Sequence, residues 1–488
     1  MPIRQVFLVL FALQLVSIGV FNTVDPDMWW HLRTGELIWN EGIPRHDPFS
    51  FTKAGGEWIT HEWLSEVLMW IFYSAGGLPF MAIGFALLSG AAFWLVYRSC
   101  EAQPYLAALP TVVGLLAAAP SFGVRPQVLN MLFMAGFVYV VELVRRGAFE
   151  KRILWLLPLS TVAWVNFHSG YLLGVVLLST YAVGFAIDAW LVKSEDEPTD
   201  FGLPRRLVLV AFACLAAALF NPNGWHIWLY PFDTLGSDLM QQNIIEWSSP
   251  NFHEAVYWPF AAMMGLGVLS FVVAPKRPPL ADLLLFFGTA AAGLTSRRHI
   301  ALFAIATIPV ISRALAEALR PTAAFAILGA PRDGEMSAGK ARLNWIILLV
   351  GVVSTLGWRV STLAQNQAMV AKKFPAAAVD HLQEIGMAER RGFNAYPWGG
   401  YLVWRRVPVF IDGRADVYGD FLGDYLKTVR LTNHWREPLD SFDVDYVLIE
   451  KGSNLGTLLD ASGEWRQEYV DEVARIYVRA EEVVIGDQ

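Results

Sequence analysis

The chain has 488 residues, of which 55% are hydrophobic and only 17% charged, with a mean hydropathy of +0.41. That balance excludes an ordinary soluble globular protein and points to a polytopic membrane protein. The net charge of -7 gives no reason to expect a nucleic-acid partner, and the cysteines Cys100 and Cys214 sit in or beside apolar segments with no metal-type spacing and no disulfide expected.

Residues 5–22 form an apolar run after Arg4. A cleavable signal peptide is the competing reading there, but Ser17-Ile18-Gly19 is a poor small-x-small site, and an uncleaved first helix is expected. Further spans are predicted at 79–98, 104–120, 127–144, 152–168, 170–191, 205–220, 255–274, 279–295, 299–317 and 343–361. Between them, Arg4, Arg98, Arg145, Arg146, Lys151, Arg152, Lys193, Arg205, Arg206, Lys276, Arg277, Arg313, Arg320, Arg332, Lys340 and Arg342 fall on one side. The opposite short loops carry only Arg125, Arg297 and Arg298. The asymmetry predicts a cytoplasmic N-terminus and places loop 24–78 and the tail from 362 outside.

Residues 62–76 are apolar enough for a span, but a crossing there would put the basic loops outside. They are therefore read as an amphipathic helix on the membrane surface, as are residues 28–40, joined by the Pro- and Gly-containing stretch 42–56. Beyond 362 charge rises and β-like stretches appear at 407–411, 446–449 and 475–478, alternating with helix-like segments at 375–386 and 417–429. The expected fold is a polytopic α-helical membrane domain over 1–361, with about 11 transmembrane helices, and a small extracytoplasmic α/β domain over 362–488.

Uncommon polar clusters concentrate on the predicted outer side. Asp25-Pro26-Asp27-Met28-Trp29-Trp30-His31 follows the first span, where carboxylates can meet a polar substrate in water; helix capping is the plainer role. His61-Glu62-Trp63 opens the next interfacial segment, with Glu62 either favouring a helix N-terminus or holding hydroxyls beside an aromatic face. Arg125 stands alone in its outer loop, as a snorkelling residue or a phosphate partner. Asn166-Phe167-His168-Ser169-Gly170 makes a tight polar turn, Asn221-Pro222 opens a longer loop, and Glu246-Trp247 sets a carboxylate beside an indole. Arg297-Arg298-His299 breaks the charge trend again, so a phosphate headgroup or the membrane surface should lie nearby. In the tail, Gly399-Gly400 allows close backbone approach, and Asp412 with Arg414 at a predicted strand end either faces a ligand or forms a loop-stabilising pair.

On these residues the chain resembles the GT-C superfamily of membrane glycosyltransferases, which use polyprenyl-phosphate-linked sugars, and looks closest to a little-characterised bacterial branch. The matching pieces are the Asp25 to His31 segment, Asp47-Pro48-Phe49-Ser50, His61-Glu62-Trp63-Leu64, Asn166-Phe167-His168, Asn221-Pro222, Glu246-Trp247 and Trp398-Gly399-Gly400-Tyr401. Pro397-Trp398-Gly399-Gly400-Tyr401 is similar to the Trp-Trp-Asp-x-Gly-Tyr region of oligosaccharyltransferase catalytic subunits, with the motif's Asp replaced by Gly399. The second outer loop, 120–126, has no carboxylate, so their two-motif metal site is not supported.

The resemblance implies an inverting transfer of sugar from a polyprenyl-phosphate carrier to an acceptor, in the inner membrane of a bacterium and on its cell-envelope face. It implies Asp25 or Asp27 as base, and Arg125, Arg297 and Arg298, helped by His168, around the phosphate. Trp29, Trp63 and Trp247 would offer stacking surfaces, and His31, His61, Glu62, Asn166, Glu246, Asp412 and Arg414 polar contacts to sugar or acceptor. No cofactor is required by this reading; a divalent cation, Mg or Mn, is the one option, with Asp25 and Asp27 as its ligands. A lipid-linked sugar transporter or flippase and a non-catalytic envelope scaffold are the rival classes. A transporter predicts charged groups at mid-membrane and inverted repeats; a scaffold predicts indifference to neutralising Asp25 and Asp27.

Overall fold

The computed structural model describes residues 1–191, 200–236, 238–328 and 337–480. Lys193 and Arg332, counted above among the basic loop residues, lie outside the described residues, as does 481–488. Each of the eleven apolar segments falls on a helix, from Ile3–Ile18 to Ala338–Ala364. Among the described residues six helices are long and apolar enough to cross a membrane: Trp63–Ser99, Gln127–Arg145, Ser169–Leu191, Ala255–Val273, Arg297–Leu319 and Ala338–Lys373. Ile3–Ile18, Tyr105–Ser121 and Leu280–Thr295 are shorter apolar helices. This is the build of a multi-pass membrane protein.

The chain forms two compact units. The first comprises Met1–Phe21, Phe80–Gly236 and Gln241–Leu363, the second Asn22–Pro79, Ser237–Met240 and Ala364–Gln488.

In the helical unit, Ile300–Leu319 is buried along most of its length. It packs against Tyr105–Ala118, Gln127–Arg145, Trp258–Val273 and Leu280–Thr295. Small residues permit this closeness: a Cβ on Gly114 would strike Ile308, and one on Gly184 would strike Ala281. Ala338–Ala364 is the opposite case, presenting Trp345, Leu349, Val353 and Leu356 outward, as a helix in contact with lipid does. A charged network interrupts the apolar interior. Arg145 donates to Asp282 at 2.5 Å, and Arg313 donates to Asp282 at 3.0 Å and Glu142 at 2.9 Å. The Tyr181 hydroxyl donates to Glu142 at 2.8 Å. Arg145 and Arg313, read above as loop charges, are thus tied to acids on neighbouring helices, which fits the rule that buried charges come paired.

In the second unit, Met28–Glu41 ends at Gly42, whose φ of 96° is a conformation side-chain-bearing residues resist. Trp63–Ser99 begins here, and its helical geometry breaks at Gly76 and Gly77. The two helices touch at Gly35, where a Cβ would collide with the Glu66 carbonyl. The four-stranded sheet has the order β1-β2-β4-β3, with β1 Gly392–Asn394, β2 Tyr446–Glu450, β3 Trp465–Val470 and β4 Ala474–Arg479. β1 and β2 run parallel, with Phe393 opposite Val447, while β2 pairs with β4 and β4 with β3 antiparallel. The helix-like segments appear as Ala376–Glu384 and Phe421–Val429, and two of the three expected strands as β2 and β4.

Residues 407–411 depart from expectation. They make one bridge, Ser50 to Val409, and join no strand of the sheet. The Asn394 side chain takes the partner's place: its Oδ1 accepts from Phe410 N at 2.9 Å and its Nδ2 donates to Ile411 O at 2.8 Å. The backbone hydrogen bonds are satisfied without a ladder.

Candidate functional site

In the second unit, Asp25 and Asp27 immediately precede Met28–Glu41. Asp25 Oδ1 accepts from the Asp27 amide at 2.9 Å, the local turn that Asp residues favour. Asp27 Oδ1 accepts from the Trp30 indole N–H at 3.3 Å. Gly413 lies against the same oxygen, where any Cβ would collide with it. Gly399 and Gly400 explain themselves similarly, since a Cβ on the first would strike the Ile411–Asp412 backbone and one on the second the Pro26 carbonyl. Of the glycine pair, Gly400 seats the Asp25–Asp27 turn, while Gly399 lies against the 411–412 backbone. Gly413→Ala is expected to displace the Asp27 carboxylate and shift the Trp30 indole N–H resonance while far-UV circular dichroism stays native; an unshifted resonance would show that Gly413 does not set the place of Asp27.

Glu62 and Glu66 are four residues apart and face the same way. Between them sits the His31 imidazole, with Nδ1 3.2 Å from Glu66 Oε1 and Nε2 3.7 Å from Glu62 Oε2. His61 Nε2 lies 3.3 Å from the other Glu62 oxygen. Trp30, Trp58, Thr60, His61, Glu62, Glu66 and Asp416 line a small cavity. Burial works against charge on His61, but Glu62, through its charge and a hydrogen bond, then Asp416 and the Ile59 carbonyl, outweigh it and lift the imidazole above 6.5. With the folded value raised, the stabilisation is complete below 6.5 and is lost as pH rises through the lifted value. An NMR titration should find His61 protonating above 6.5, and Glu62→Gln should move it down; an unmoved midpoint would refute the pairing.

Asp412 and Arg414 form a buried pair. Arg414 donates to Asp412 Oδ1 at 2.9 Å and Oδ2 at 2.6 Å, and to Asp47 Oδ1 at 2.7 Å. The Tyr418 hydroxyl also donates to Asp412, at 2.9 Å. The Arg414 guanidinium lies 4.7 Å over Trp58 and 5.0 Å over Phe49. This network joins the Asp47-Pro48-Phe49-Ser50 loop to the 410–418 segment. Trp29 is enclosed by Phe374, Tyr401 and Trp404 rather than presented outward. Trp63 is partly exposed at the start of its helix.

The helical unit gathers a second group. Arg125 forms an ion pair with Glu246, and the Arg298 guanidinium lies 4.2 Å over the Trp247 ring. Arg297 donates to Ser249 O at 3.3 Å and sits 5.3 Å over Tyr257. Burial would raise the Glu246 carboxyl, but Arg125 and then Arg298 hold it below its ordinary value. Asn166 and His168 are engaged locally: Asn166 Nδ2 donates to Phe220 O at 2.8 Å, and His168 Nδ1 accepts from Gly170 N at 2.8 Å. Asn221 Nδ2 donates to Val165 O at 3.0 Å, so Asn166 and Asn221 fasten the two turns together.

No three His, Cys, Asp or Glu side chains converge as a metal-binding group among the described residues. Asp25 and Asp27 therefore meet no third protein ligand of those types there. The sequence did not single out Trp58, Glu66, Gly413 or Asp416, and it marked Trp30 only as a member of the Asp25 to His31 segment. Only Glu66 carried a signal, its four-residue spacing from Glu62; the others meet through tertiary folding.

No family profile and no curated protein matches the sequence. Solved structures do share its fold. The apo oligosaccharyltransferase of Archaeoglobus fulgidus aligns with a TM-score of 0.51 at 12% identity, covering 98% of this chain and 74% of that one. The same enzyme tethered to an acceptor peptide containing the NVT sequon gives 0.53 at 13% identity, over 92% and 69%. ArnT from Cupriavidus metallidurans, bound to undecaprenyl phosphate, gives 0.53 at 14% identity and covers 98% of both chains. These neighbours are glycosyltransferases of the GT-C superfamily, and the chain shares their fold; against the roughly 11 spans expected, six helices among the described residues are long and apolar enough to cross a membrane.

Proposed function

We propose that the protein is an inverting glycosyltransferase that moves a sugar from a polyprenyl-phosphate carrier to an acceptor at the extracytoplasmic face of a bacterial inner membrane. The observation that carries this reading is the Asp27 carboxylate, fixed by the Trp30 indole and Gly413 at the start of the helix Met28–Glu41, in a chain sharing its fold with ArnT along its length. The acceptor hydroxyl attacks the anomeric carbon, Asp27 takes its proton, and the bond to the phosphate oxygen breaks, with polyprenyl phosphate leaving with the electron pair. Asp25 holds the Asp27 backbone rather than acting on substrate. Arg298, Arg297 and Arg125 are the proposed phosphate partners, the last through exchange with Glu246, because guanidinium groups match phosphate oxygens in pairs. Asp412 and Arg414 support the site through packing. The bilayer, the lipid-linked sugar and an acceptor are the proposed partners.

The test is transfer by purified protein from a panel of polyprenyl-phosphate sugars to a membrane extract, with and without Mg or Mn. Turnover in the wild type and its loss in the Asp25→Asn/Asp27→Asn double variant would support the reading. Envelope function in cells that survives the double variant would favour the scaffold instead.

A further inference from the structure

The cavity beside His31 has a chemistry that the transfer step leaves unused. Glu66 is 1% exposed; its Oε1 meets His31, while its Oε2 has no hydrogen-bond partner among the described residues. An unsatisfied buried carboxyl oxygen is costly, so the site is built for a donor. Glu62, 8% exposed, and Asp416 at the exposed lip add acidic groups to the same cavity, so that three carboxyls face one lining imidazole, His61, which Glu62 already engages. Trp30 adds an indole to the wall. A hydroxyl would satisfy one oxygen but bring no positive charge to a cavity that holds Glu62, Glu66 and Asp416. A metal ion would need a ligand group that does not occur among the described residues. An ammonium brings three N–H donors, a compact positive charge and an affinity for an indole face. The cavity admits a group about the size of one water, which suits an ammonium head and excludes a sugar ring.

We propose that this cavity binds a primary ammonium group carried by one of the two substrates, with Glu66 at its base and Asp416 at its mouth. The substrate assignment rests on the glycosyltransferase reading; the binding itself does not. The ammonium could belong to an amino sugar on the donor or to an amine-bearing acceptor, and the two sources are separable.

The primary experiment is saturation-transfer NMR of ethylammonium with the purified full-length protein, using ethanol and potassium chloride as competitors. Ethylammonium should bind, neither competitor should displace it at equal concentration, and Glu66→Gln should weaken binding by at least about tenfold, the loss of one charged hydrogen bond. Asp416→Asn, at an exposed position that tolerates exchange, should weaken it as well and keeps the proposal testable if Glu66→Gln fails to fold. Displacement by ethanol or potassium, or wild-type binding in both variants, would overturn the site. Transfer assays with donors carrying a free or an N-acetylated amine, and with acceptor extract before and after amine acetylation, then assign the source. Preference for a free amine in one arm, lost in Asp416→Asn, supports the proposal, and indifference in both arms overturns the substrate assignment. Ethylammonium binding without transfer from any donor would keep the site and remove the glycosyltransferase reading.

Discussion

Asp27→Asn is expected to lower transfer by about 10²–10⁴-fold, the usual contribution of a general base, with no change in thermal unfolding. Asn has the same shape, and its Oδ1 can still accept the Trp30 indole N–H that now reaches Asp27 at 3.3 Å. What it cannot do is take the acceptor's proton. Asp25→Asn makes the sharper comparison. Asp25 contributes an oxygen to the Asp27 amide at 2.9 Å, and an asparagine oxygen serves that turn equally well. Steady-state transfer by the two single variants should therefore differ by at least an order of magnitude. Equal losses would mean that the pair acts as a unit, and full activity in Asp27→Asn would remove the base from Asp27 altogether.

Arg414→Ala is expected to destabilise the second unit by about 3–5 kcal/mol, the cost of removing one partner from a buried ion pair. Arg414 is 1% exposed and is the shared cation of Asp412 and Asp47, which are buried with it. Against a typical domain stability of about 5–15 kcal/mol that loss is large. Arg414→Lys should recover only part of it, because a single ammonium cannot reproduce a guanidinium that donates to two carboxylates and stacks on Trp58. Denaturant unfolding followed by intrinsic fluorescence measures both. An Arg414→Ala midpoint equal to wild type would show that the network contributes little.

The helices were legible because long apolar runs leave few alternatives in a bilayer, though six rather than about 11 of those described have spanning length, and the resemblance pointed to the fold that the solved neighbours share. β2 and β4 were legible from Tyr446-Val447-Leu448-Ile449 and Arg475-Ile476-Tyr477-Val478. β1, only Gly392–Asn394, is too short to leave a pattern, and β3 mixes Arg466, Gln467 and Glu468 into a strand that is largely exposed. Residues 407–411 carry strand-like composition, yet the Asn394 side chain meets the backbone of Phe410 and Ile411, and Phe49 and Phe51 meet that of Val409.

The site divides the same way. Asp25 and Asp27 stood out because carboxylates after an apolar span are unusual. Nothing local predicted that Gly413 would touch Asp27, or that Trp58 and Asp416 would share a cavity with Glu66. Those meetings depend on residues hundreds of positions apart. Trp29 shows the converse, since an indole beside two acids reads as a sugar platform until Phe374, Tyr401 and Trp404 are seen to enclose it.

The central claim, direct displacement at the anomeric carbon with Asp27 as base, is tested most directly by the anomeric configuration of the product made by purified wild-type protein from a polyprenyl-phosphate sugar of known configuration, read from proton NMR couplings. A single displacement predicts inversion at the transferred sugar. Retention would require a covalent intermediate that this account does not contain and would contradict it.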